Sequence, residues 1–193
     1  LADLEVPQYR LQAIVELCHR NDLSNIEPVF RALAELPVHE ASEAFAAVTS
    51  LGLRASEPLL LLLRCPSSYL QHGAAMALCA IGNPEGIDVV CDMLMESSAP
   101  VWQEYAFCLG MVGSSAIMPI VSRINSNGAI GQERAMWSLA YASTSSGKEA
   151  LGTLASGRNQ VVAQVARSAM ELGARLEGGE RIEDGRAAPE KAY

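Results

Sequence analysis

A short apolar segment ending in a small residue recurs about every thirty residues, and this recurrence restricts the fold more than any other feature of the chain. Its clearest copy runs from Gly73 to Gly82. The closing glycine has counterparts at Gly52, Gly113 and Gly173, with Ser143 at the remaining step. One residue before these marks stand Leu51, Ile81, Val112, Ala142 and Leu172; four before stand Val48, Leu78, Leu109, Leu139 and Ala169. Seven before stand Phe45, Ala75, Ala106, Met136 and Ala166, and eight before stand Ala44, Ala74, Tyr105, Ala135 and Val165. Offsets of one, four, seven and eight lie on one face of an α-helix. The pattern therefore predicts a repeated helix, the A helix, that stops at each mark.

A second, shorter pattern follows each mark. Leu59–Leu60, Val89–Val90, Ile120–Val121 and Ala150–Leu151 stand seven and eight after it, and Leu63, Met93, Ile124 and Leu154 stand eleven after. These predict a B helix in each unit. Pro58 and Pro119, six after their marks, are expected at B-helix starts, where a missing N–H costs nothing. The first unit fits with Tyr9 to Cys18 as its A helix and Pro28, Val29, Phe30 and Leu33 in its B helix. Six A and five B helices are expected between about Pro7 and Leu176. Pro37, Pro66, Ser97–Pro100, Asn125–Gly128 and Ser156–Asn159 supply turn chemistry between units. The uncharged stretch from Tyr105 to Ser122 approaches the length of a membrane span, but Gly110, Gly113, Ser114, Ser115 and Pro119 divide it into a helix end, a turn and a helix start.

A thirty-residue helix pair cannot bury its own apolar face, whereas stacked pairs bury it against their neighbours. The expected fold is all-α, an α-solenoid of about five to six stacked helical hairpins over residues 1–176. From Glu177 to Tyr193 the sequence turns polar and small and is expected to be a disordered tail or linker. Half of the 193 residues are apolar while aromatics make up 5%, which suits close helix contacts through thin side chains. The five cysteines, an odd number with no C-x-x-C spacing, read as buried apolar residues of a chain in a reducing compartment, and a cytoplasmic location is expected.

The segments Ala77-Leu78-Cys79-Ala80-Ile81-Gly82-Asn83 and Cys108-Leu109-Gly110-Met111-Val112-Gly113 resemble the Ala-Leu-Gly-x-Ile-Gly-Asp core of HEAT-like repeats, in the short form named after phycobilisome lyases. Pro58 to Leu63 and Pro119 to Ile124 resemble that family's second-helix core. The resemblance covers nearly all of the chain before the tail and implies the fold far more than any activity. The chain departs from the family pattern in two places. Arginine nine before the mark is present only as Arg134, against Glu43, Gly73, Glu104 and Gln164, and the aspartate after the mark is present only as Asn83.

No catalytic constellation stands out. His39-Glu40 begins like a zinc-protease motif, but Glu43 occupies the place of the second histidine. HEAT-like hydroxylases hold two irons with several His-Glu pairs, and this chain has one. Gly147-Lys148 lacks the hydroxyl residue and the first glycine of a phosphate loop. Ser114–Ser115 and Ser145–Ser146 fall in inter-helix turns, where hydroxyls are expected to cap the next helix. Trp102, Tyr105, Phe107, Trp137 and Tyr141 cluster on two adjacent A helices, with Phe107 and Trp137 at matching positions where they can stack; the expectation is that the cluster packs between units or covers the convex side, and the alternative is an aromatic contact site for a partner or pigment.

The net charge of −8 opposes binding to nucleic acid or to an acidic membrane. The residues that the resemblance places on the concave face, Arg31, Glu35, Arg64, Asp92, Glu96 and Arg123, are mixed in sign, unlike the basic face of HEAT-like glycosylases. The expected function is a non-catalytic scaffold or adaptor that binds another protein or peptide segment on this face, as a monomer or in a homo- or hetero-oligomer. The alternative is a bilin lyase-like or cofactor-chaperone subunit, by resemblance alone. No cofactor, metal or catalytic residue is expected. The Leu59 to Leu63 run supplies the candidate anchor: Leu59, Leu60 and Leu63 are assigned to the interior, leaving Leu61 and Leu62 exposed, with Arg31, Arg64, Asp92 and Arg123 around them.

Overall fold

The computed structural model describes residues 2–20, 24, 26–33, 35–36, 38–96, 101–124, 128–144 and 146–179. The described residues are helical, with no strand among them. Eleven α-helices follow in the expected alternation. The A helices are α1 (Arg10–His19), α3 (Val38–Ser50), α5 (Ser68–Ala80), α7 (Trp102–Val112), α9 (Gly128–Ser143) and α11 (Gln160–Glu177). The B helices are α2 (Ile26–Leu33), α4 (Ser56–Leu63), α6 (Pro84–Glu96), α8 (Ser114–Arg123) and α10 (Lys148–Ala155). The chain divides into two compact units, one through Gly86 and one from Ile87. The expected turns at Pro37, 97–100 and 125–127 and the expected tail from 180 onward lie outside the described residues.

In the first unit α3 packs against α1 and α5, and α2 touches α4 and α5. In the second, α9 lies between α7 and α11, while α8 meets α10. Like helices thus lie side by side within each unit. The residues four before each mark form the floor of these contacts: Val48, Leu78, Leu109, Leu139 and Ala169 are all 0% exposed. Bulk is scarce at the closest approaches. A Cβ on Gly110 would strike Tyr141 of α9, and one on Gly173 would strike the Ser143 hydroxyl.

The marks do three different jobs. Gly52, Gly82 and Gly113 have φ between 60° and 77°, a conformation that glycine adopts without a steric penalty, and each ends an A helix. At Gly82 the N–H bonds to the Cys79 carbonyl (2.8 Å) and Asn83 N–H to the Leu78 carbonyl (2.9 Å), closing the last turn. Ser143 is instead the last residue of α9, and its hydroxyl donates to the Ala140 carbonyl at 2.7 Å. Gly173 ends nothing. The helix α11 continues through it to Glu177, so the small residue is kept for close contact with α9 rather than for termination.

The B-helix register also differs from expectation. After Gly113, α8 starts at once and buries Ile117, Ile120 and Ile124. After Gly82, the cap Asn83 intervenes and α6 buries Ile87, Val90 and Leu94, one residue later along the repeat. Asn83 Oδ1 accepts from the N–H groups of Glu85 (3.0 Å) and Gly86 (3.2 Å), the role an aspartate at that step also performs. Pro58 is in the first turn of α4 as expected, but Pro119 is the sixth residue of α8, interior to the helix. The Gly113 turn is tight enough for the helix to begin well before the proline.

Candidate functional site

The six candidate residues lie on B helices and divide between the units. Arg31, Leu61, Leu62 and Arg64 belong to the first unit, and Asp92 and Arg123 to the second. On α4, Leu59 and Leu62 are buried (0% and 5% exposed), while Leu61 is 63% exposed. Leu60 and Leu63 are half-buried. The expectation that Leu62 is exposed beside Leu61 is therefore corrected. With about 3.6 residues per turn, Leu62 falls within about 60° of Leu59, whereas Leu61 falls on the opposite side. Reading the run as adjacent pairs rather than by helical angle put Leu62 on the wrong face.

Arg31, at the position of α2 equivalent to Leu61, is exposed and bonds Glu27 one turn earlier through Nε (3.1 Å) and Nη2 (2.7 Å). Arg64 is exposed at the C-cap of α4 and forms no ion pair among the described residues. Asp92 and Arg123 meet each other. Arg123 Nε donates to Asp92 Oδ1 (2.7 Å), Nη1 to Asp88 Oδ1 (3.1 Å) and to the Pro119 carbonyl (3.0 Å), and Nη2 to the Asp88 carbonyl (3.3 Å). The hydrogen bond to Asp92 raises the Arg123 pKa, so this guanidinium stays charged and committed to joining α6 to α8. Beneath it, Cys91 is fully buried, and burial pushes its thiol up to about 12, in part offset by Arg123 and reinforced by Asp88 and Asp92. A thiol held protonated in this way is inert as a nucleophile.

Beside Arg31 is a feature with no sequence motif, a cleft of about 500 Å³ in the first unit. It is lined by Leu4, Glu5, Arg10, Pro28, Arg31 and Glu35, among others. The Arg10 side chain is 9% exposed; Nε donates to the Leu4 carbonyl (2.9 Å) and Nη2 pairs with Glu35 Oε2 at 2.8 Å. Sequence reading missed Arg10 because its position depends on the short helical turns at Ala2–Leu4 and Pro7–Tyr9 folding back over α1.

The aromatic residues meet differently from expectation. Tyr141 receives both neighbours, Phe107 edge-on at 5.4 Å and Trp137 tilted at 6.2 Å, because the residue opposite on α7 is Gly110 and the tyrosine fits against it. Trp102 is buried, with the Arg134 guanidinium 5.9 Å over its ring. Arg134 Nη1 also donates to the carbonyls of Leu94 (2.7 Å) and Met95 (2.9 Å) in the last turn of α6. Ser146 Oγ accepts from Ser114 N–H at 3.3 Å, so it caps the helix of the preceding unit rather than its own next helix. Among the described residues no group of three or more His, Cys, Asp or Glu is placed to hold a metal ion. No single helix among them is long and apolar enough to cross a membrane.

No family model matches the chain, and no curated protein matches it. Among solved structures, the crystal structure of an engineered protein is similar at a TM-score of 0.40 and 22% identity, over 86% of this chain and 48% of that one. The chain thus spans about half the length of that protein.

Proposed function

We propose that the chain is a HEAT-like α-solenoid acting as a non-catalytic, cytoplasmic scaffold, with a partner protein or peptide seated on its B helices. The solenoid reading is supported by the strict A–B alternation and by the single buried column that recurs through both units. It is also supported by the bond between Ser114 and Ser146, which ties equivalent turns of successive units. The observation that carries the binding role is Leu61. It is a leucine 63% exposed on a helix whose other leucines are buried or half-buried. Arg31 on α2 and Arg64 supply a charged rim, and apolar groups so framed serve as anchors. Asp92 and Arg123 are spent on each other and enter this reading as the joint between α6 and α8 rather than as partner contacts.

The test is affinity capture with the wild-type chain and with Leu61→Asp, each checked for folding by circular dichroism. A protein retained by the first and lost from the second supports the reading. Identical captures from both, or a spectral shift with free bilin and its transfer to an acceptor, would overturn it.

A further inference from the structure

We infer that the cleft beside α1 and α2 is a binding site for a short zwitterionic peptide of about dipeptide size, with its carboxylate on Arg10 and Arg31 and its ammonium on Glu5 and Glu35. The first observation is Arg10. A guanidinium carries five N–H donors, so one held by two partners still has donors to offer a ligand. Here the side chain is 9% exposed, yet only Nε and Nη2 are engaged, by the Leu4 carbonyl and Glu35. Nη1 makes no hydrogen bond among the described residues and is not one of the buried atoms left without a partner, so it is open to solvent on a residue that lines a cleft of about 500 Å³. Arg31 lines the same cleft and is exposed; Glu27 holds its Nε and Nη2, and its Nη1 makes no hydrogen bond among the described residues. Two guanidiniums that line one cleft, each held by its own carboxylate and each with a donor to spare, are the donor set that a ligand carboxylate uses.

The second observation is charge balance. Glu5 and Glu35 in the lining, with Glu27 on Arg31, together outweigh Arg10 and Arg31 by one charge, which disfavours simple anions and phosphate-rich ligands. A ligand with one carboxylate and one ammonium matches both signs. Glu5 is exposed and forms no ion pair among the described residues, and Glu35 is 66% exposed with one oxygen taken by Arg10, so both can receive an ammonium group. Leu4 and Pro28 give the cleft an apolar side for a ligand side chain. The volume lies in the usual range for small-molecule sites, about 300–1,000 Å³. The inference does not rest on the partner reading, since titration with a small peptide needs no partner and can fail while Leu61-dependent capture succeeds.

The experiment is an NMR titration of the full chain with the dipeptide Ala-Leu, its N-acetyl derivative and its C-terminal amide, followed at the arginine Nε–Hε signals. Ala-Leu is expected to shift Arg10 and Arg31, with each blocked derivative at least about tenfold weaker, the loss of one charge-assisted bond. In Arg31→Ala, which removes an exposed side chain, the gap between Ala-Leu and its amide should narrow. In Glu5→Gln, the gap between Ala-Leu and its acetyl derivative should narrow. Equal binding of all three compounds, or no shift at either arginine up to about 10 mM ligand, overturns the assignment.

Discussion

Leu61 and Leu62 are neighbours in a run of identical residues, and a side-chain angle separates their fates. The buried Leu62 lies on the arc shared with Leu59; the exposed Leu61 lies across the helix from it. Leu62→Ala is therefore expected to cost about 2–5 kcal/mol in chemical denaturation, while Leu61→Ala changes stability by less than about 0.5 kcal/mol. Leu109→Ala and Leu139→Ala, in the fully buried column, belong with Leu62. Near-zero costs at both would show the helical register to be misassigned. Cys91 gives a prediction in pH. Its thiol rises from 9.0 to about 12 on folding, so both states hold the proton below pH 9. Above pH 9 the unfolded chain releases it and the folded chain does not, so stability falls as pH rises toward 12, by up to about 1.4 kcal/mol per pH unit. Replacing the thiol in Cys91→Ala should flatten this part of the alkaline slope in urea titrations, whatever it does to stability at neutral pH. An unchanged slope would mean the thiol titrates normally.

At the scale of helices, what was legible in the sequence was whatever a 3.6-residue period can express. The number and alternation of helices and the buried column four before each mark all follow from periodicity. The B-helix register did not, because it depends on how many residues each turn spends before the next helix starts: none after Gly113, one after Gly82. The site was less legible. Leu61 was visible as one leucine too many, but Arg10 owes its burial to chain that folds back from outside the repeat. The pairing of Asp92 with Arg123 joins helices 31 residues apart, a distance at which no local pattern reports. Arg134 shows what the one arginine nine before a mark does. It spans from α9 to the carbonyl end of α6, where the last-turn carbonyls have no helical partner, and covers Trp102 on the way. Arg134→Ala should lower stability by about 2 kcal/mol, as for part-buried hydrogen bonds from a charged group. Arg134→Lys should recover only part of this, since an ammonium can donate to the two carbonyls but lacks the planar group that covers the indole. Tryptophan fluorescence should shift in both variants. A fully stable alanine variant would reduce the contact to an incidental one.

For the whole molecule, the division at Gly86 raises the question of whether the two units unfold together. The boundary falls inside one uninterrupted helix, since α6 runs from Pro84 to Glu96. Its first turn is fixed in the first unit: Gly86 is buried so closely against the α5 residue Leu78 that a Cβ would strike that side chain and the backbone behind it. The rest of α6 belongs to the second unit, where Ile87, Val90 and Leu94 are buried and Arg123 grips Asp88 and Asp92. Melting either end of a continuous helix removes hydrogen bonds from the other, so the shared helix couples the unfolding of the two units. Both tryptophans, Trp102 and Trp137, are in the second unit, whereas circular dichroism reports both units. In urea, the fluorescence and circular dichroism transitions of the wild-type chain should coincide, and Leu78→Ala in the first unit should move the fluorescence midpoint as well. Gly86→Leu, which forces α6 away from α5, should split the two transitions by loosening the first turn while leaving the second unit's core untouched. Separate transitions already in the wild type, with Leu78→Ala moving only the dichroism, would show two independent units joined by a helix that frays at its own boundary.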